Sequence, residues 1–234
     1  MVFRALGSTK EDLKIIANGA KVGNKDKDYV EDGSKLILDL HHLAIKHFTG
    51  DSLQTITGKF IEGLAARIDV RFSVEEESSY EWQELELTEF VKVLWTQAAI
   101  PALFGTNMTK QWPDCVEWFW KFDKNIQKFI AELPRFLFSE AYAIKEEGID
   151  HFIKWEEQAW EHSAEGGGDP DWDEYRGLKF CRMRAKCFVD AGITKRGRAV
   201  QGLSFLWGYV CQSKYQNKLT RIGKMQMQFL LRCG

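Results

Sequence analysis

Apolar residues recur along this chain at helical spacing and almost nowhere in strict alternation. Leu53, Ile56, Phe60, Leu64 and Ile68 mark one side of an amphipathic helix of about four turns at 3.6 residues each. Leu87, Phe90, Val91, Leu94 and Ala98 follow the i, i+3, i+4, i+7, i+11 spacing of a buried helix face. Ile149, Phe152, Ile153 and Trp160 do the same, with Glu156 breaking the stripe at i+7. No stretch alternates long enough for a half-buried strand, so the pattern predicts an all-α (mainly α) fold. Helices are expected over 34–48, 52–69, 84–104, 113–131, 139–162, 171–191 and 197–210, with 8–33 and 70–83 as loops. The stretches 85–104, 114–130 and 144–160 are expected to pack on one another through their apolar faces.

The breaks fall at residues with mechanical reasons to be there. Pro113 suits a first helical turn, where its missing N–H costs nothing, and Pro134 interrupts the helix carrying Trp120 and Phe129. Gly166-Gly167-Gly168 is a loop. Asp169-Pro170-Asp171-Trp172 then reads as a helix start, with Asp169 capping free N–H groups and Trp172 at least partly buried.

At 44% apolar and 28% charged residues, the chain has enough hydrophobic surface for a core and too much for a disordered polymer. The net charge of −2 hides an asymmetry: 71–90 is acidic, whereas after Arg176 the only acid is Asp190. A basic tail suits nucleic acid or an anionic membrane surface, but the charges among the aromatics, Glu117, Lys121, Asp123 and Lys124, form no basic stripe. Nucleic-acid binding is not expected. Five cysteines at irregular spacing, with no Cys-x-x-Cys, argue against a disulfide framework and for a reducing compartment. No apolar run approaches the ~20 residues of a bilayer span, and no signal peptide opens the chain.

Candidate chemistry is sparse. Asp39, His41, His42 and His47 crowd one segment, but only Asp39 and His42 share a face, and His47 points elsewhere. A solvated or partly buried helix face is the expectation there, not a metal site. Trp112, Trp118, Phe119, Trp120, Phe122, Phe129, Phe136 and Phe138 read as core, since each aromatic can bury about 150–250 Å². There is no Gly-rich phosphate loop and no Gly-x-Ser-x-Gly elbow.

Two aromatic cassettes carry a resemblance. Ala98-Ala99-Ile100-Pro101-Ala102-Leu103-Phe104-Gly105 runs into Trp118-Phe119-Trp120-Lys121-Phe122-Asp123, and Asp169-Pro170-Asp171-Trp172-Asp173 precedes Phe205-Leu206-Trp207-Gly208. Their order and spacing resemble the middle of a fungal cytochrome P450, a haem-thiolate monooxygenase, over roughly Val2 to Gly208. The resemblance implies a helical fragment from the C helix (34–48) through D (52–69), E (ending at Phe104-Gly105), F (113–131), G (139–162) and H to the early I helix (Ala199 to Gly208). It places His41 and His42 in the neighbourhood where the family's Trp-x-x-x-Arg pattern reaches the haem propionates. For the intact family it implies haem, a lipophilic small-molecule substrate, an electron-donor reductase, and an endoplasmic reticulum membrane location in microsomal members. A cytoplasmic location is the expectation for this chain expressed as it stands.

Three near-matches fail on detail. In Phe205-Leu206-Trp207-Gly208-Tyr209-Val210-Cys211 the cysteine comes one residue early for Phe-x-x-Gly-x-x-x-Cys-x-Gly. Glu132-Leu133-Pro134-Arg135 spells Glu-x-x-Arg, but Pro134 breaks the helix that pair needs. Ala191-Gly192-Ile193-Thr194 is one residue short of Ala-Gly-x-x-Thr. The sequence is therefore read as a partial P450-like helical domain (1–209), inactive alone and binding no haem stably, followed by a basic tail (210–234) outside the family pattern. Val210-Cys211 is what an in-frame fungal splice donor, GTATGT, encodes, so the tail is read as a retained intron or shifted frame. The competing reading is a non-catalytic helical interaction module.

Overall fold

The alternation-free pattern folds as expected. A computed structural model describes residues 2–21, 36–72, 86–164 and 170–215. Within them lie α1 (Val2–Leu6), α2 (Lys10–Lys21), α3 (Leu36–His47), α4 (Gly50–Phe72), α5 (Leu87–Phe104), α6 (Thr106–Gln111), α7 (Cys115–Ile130) and α8 (Ser139–Ala164). A two-stranded antiparallel hairpin follows, β1 (Trp172–Asp173) with β2 (Gly177–Leu178), and then α9 (Lys179–Asp190) and α10 (Lys195–Tyr215). Among the described residues the fold is all-α apart from that hairpin.

α7 and α8 pack side by side, and α10 lies against α8, α5 and α9. The aromatic cassettes meet in the core they form. Phe104, at the end of α5, makes edge contacts with Phe152 at 5.4 Å and Trp155 at 5.3 Å, both on α8. Each such pair adds about 0.5–1.5 kcal/mol beyond the burial itself. Trp112, Trp118, Phe119, Phe122 and Phe129 are buried in the same cluster, as expected, but Phe136 is exposed on the α7–α8 loop. The three stretches expected to pack together do so.

Pro101 lies inside the last turn of α5, and the helix ends at Gly105 with φ of +87°. A Cβ at Gly105 would sit 2.3 Å from the Glu174 carbonyl oxygen, so only glycine admits the hairpin backbone here. The hairpin and α8 in turn tie down carbonyls that the end of α5 leaves free: the Trp172 indole of the hairpin donates to the Ala102 carbonyl at 3.0 Å, and the Trp155 indole of α8 to the Phe104 carbonyl at 3.1 Å.

Several expectations are corrected. The stretch expected as a loop from residue 8 carries α2, opened by a reciprocal cap in which Asp12 N–H donates to Thr9 Oγ1 at 3.1 Å and Thr9 N–H to the Asp12 carboxylate at 3.3 Å. The helix expected from 171 begins only at Lys179; 172–178 is the hairpin, turned by Asp173, whose carboxylate accepts the Tyr175 and Arg176 N–H groups. Trp172 is half-buried as expected, while Asp169 lies outside the described residues, as do 22–35, 73–85 and 216–234. α4 runs on through Phe72.

Two stripes also face differently from the expectation. On α5 the first turns are exposed, Leu87 by 71% and Val91 by 49%, and burial begins at Leu94. On α8 the roles invert: Glu156 is buried and Trp160 is 41% exposed. Periodicity marks a face but not its partner, and Glu156 is drawn inward by a basic partner on α10.

The three near-matches have structural roles of their own. Glu132 ends α7 in the left-handed region, φ +50°, so Glu132 and Arg135 share no helix. Gly192, φ +79°, closes α9, and Thr194 opens α10 by accepting the Gly197 N–H at 3.0 Å. Cys211 lies within α10, which continues past Val210 to Tyr215; Val210 and Cys211 are both buried.

Candidate functional site

Glu156 on α8 is buried, and α10 supplies its partner. Arg198 Nε donates to its carboxylate at 2.8 Å, while Arg198 Nη1 donates to the Ile193 carbonyl at 2.9 Å. Across from this pair, Arg184 of α9 donates through Nη2 to the Gln201 carbonyl at 2.6 Å and lies 5.0 Å and 5.1 Å from the ring centres of Phe188 and Phe205. These groups line a cleft of about 30 Å³ between α8, α9 and α10, walled by Phe104, Trp155 and Cys181. Burial pulls the Arg184 guanidinium down to about 10 against the opposing influence of Cys181 and Glu156. It pushes the Cys181 thiol up to about 12, against the neighbouring Arg184 and Arg182.

The cleft holds a cluster of charge, not a substrate cavity. Small-molecule sites occupy roughly 300–1,000 Å³, about tenfold more than this space. A second recess, of about 10 Å³, lies among His47, Ser52, Asp171 and Lys179. Neither admits a porphyrin.

The sequence-level candidates do not converge. His41 is half-buried and His42 exposed, adjacent on α3 with ring centres 6.3 Å apart. His47 is buried toward Phe180 of α9, at 6.3 Å. Among the described residues no group of three His, Cys, Asp or Glu side chains is arranged to hold a metal ion, and no helix is long and apolar enough to cross a membrane.

The described cysteines do not fit haem ligation either. Cys115, Cys181, Cys187 and Cys211 all sit in helices, not in a glycine-lined loop that would let a backbone approach a porphyrin. Burial pushes Cys115 up to about 11, against backbone N–H groups and Arg67. Cys211 donates to the Asp123 carboxylate at 3.3 Å, beside the Trp207 indole that donates to the same oxygen at 2.9 Å. Burial disfavours the thiolate at Cys115 and Cys181, whereas an iron ligand is a thiolate.

Sequence reasoning missed Asp12 and Asp123 as buried polar centres and Arg184 and Arg198 as part-buried ones. The break that Glu156 makes in its stripe was the one local sign of such a centre, since a charge at a core position needs a partner from elsewhere in the chain.

No family model matches the chain, and no solved structure matches it. Over 171 residues, 71% of its length, it is 26% identical to the cytochrome P450 monooxygenase efuG of Hormonema carpetanum. The match covers 30% of that protein, so the chain spans under a third of the curated relative. At this low identity, the chain is similar to one portion of a fungal cytochrome P450 monooxygenase and is P450-like in sequence.

Proposed function

We propose that residues 1–209 are a partial P450-like helical domain, with α7 and α8 as the F and G helices that roof a substrate cavity. The intact enzyme would insert one oxygen atom from O2 into a lipophilic small molecule, with haem and an electron-donor reductase. The observation that carries this reading is the similarity to efuG over 171 residues. The ordered aromatic core of α5, α7, α8 and α10 is consistent with it. The described residues fit no haem, so the chain's own part is scaffold and roof, and the 234 residues alone are proposed to be inactive. The reading of 210–234 as a retained intron or a shifted frame belongs to this proposal, and transcript sequencing across codon 210 tests it.

The direct test is a reduced, CO-bound spectrum of the purified chain mixed with haem. No thiolate-type band is expected, and Cys115→Ser, Cys181→Ser, Cys187→Ser and Cys211→Ser should leave any residual haem affinity unchanged. A thiolate band abolished by one of these substitutions would overturn the proposal that this chain is catalytically incomplete.

A second reading, a helical interaction module without chemistry, is favoured by the apolar side chains that α4 and α5 leave in solvent: Ile61 at 57%, Leu87 at 71% and Val91 at 49% exposed. A spliced message that ends at Gly234 and has no haem-binding motif encoded downstream would favour it.

A further inference from the structure

We draw no further inference here: the strongest candidate, the apolar surface patch that α4 and α5 leave in solvent around Ile61, Leu87 and Val91, belongs to the interaction-module reading already given, and nothing in the structure shows what covers it.

Discussion

Asp12 joins the two ends of the described chain, and removing its carboxylate should be among the costliest polar substitutions in the protein. The side chain is fully buried. Oδ1 accepts the Thr194 N–H at 2.9 Å, and Oδ2 accepts the Thr194 hydroxyl at 2.8 Å and the Thr9 N–H at 3.3 Å. One carboxylate thus serves the N-termini of both α2 and α10. Losing a cap costs about 0.5–2 kcal/mol at each helix, and a donor stranded in the interior costs a further ~1–3 kcal/mol. Because the terms overlap, Asp12→Ala is expected to cost about 3 kcal/mol in all. At about 2–4 °C per kcal/mol for a chain of this size, the midpoint should fall by about 6–12 °C. Asp12→Asn keeps one acceptor oxygen but turns an amide toward two donors, and should lose about 2 kcal/mol.

The charge adds a pH signature. Burial alone would raise the Asp12 carboxyl, but hydrogen bonds from Thr194 and Thr9 outweigh it and hold the group below its ordinary value. A depressed carboxyl contributes stability that is fully present above about pH 3.9 and lost as pH falls through the lower folded value. Urea unfolding followed by circular dichroism should therefore show the gap between wild type and Asp12→Asn closing in strong acid. A loss below about 1 kcal/mol for Asp12→Ala at neutral pH, or a gap independent of pH, would refute the reasoning.

Two further substitutions probe packing. A Cβ at Gly148 would fall 1.9 Å from Trp118 Cζ2, and Trp118 is held by its indole bond to the Ile144 carbonyl at 2.8 Å; Gly148→Ala should cost about 1–3 kcal/mol in urea unfolding, and a loss under about 0.5 kcal/mol would mean that the ring swings aside freely. Leu87→Glu with Val91→Glu, at exposed positions of α5, should change stability by less than about 0.5 kcal/mol per site while lowering self-association in sedimentation; unfolding of the double variant would show that this face is covered.

The sequence made the long helices legible because each carries its period internally. α3, α4, α5, α7, α8 and α10 begin within about four residues of where the apolar spacing puts them. α2 was legible in principle: Thr9-x-x-Asp12 ahead of Leu13 and Ile16 is a capping signature, obscured by the charges between them. The hairpin was not, since two-residue strands have no periodicity and the Asp169-Pro170 start signal precedes α9 by ten residues. Burial was the weakest reading. Leu87 and Glu156 each did the opposite of what their stripe implied, because side-chain fate depends on what arrives from elsewhere in the chain. Glu156 finds Arg198 at a separation of 42 residues, which no local window detects. The candidate cleft is built almost wholly from such remote pairs.

The Asp12–Thr194 contact closes a loop of 182 residues, and this has a consequence during synthesis. At about 5–20 residues per second, a ribosome needs roughly 9–36 s after making Asp12 before Thr194 exists, and longer before it clears the exit tunnel. Throughout that interval α1 and α2 have no α10 to rest on, and Leu6, fully buried in the finished protein, has only part of its surroundings. α1 and α2 are thus made long before the helix they rest on, and the apolar side chains they bury stay open to chaperones throughout that interval.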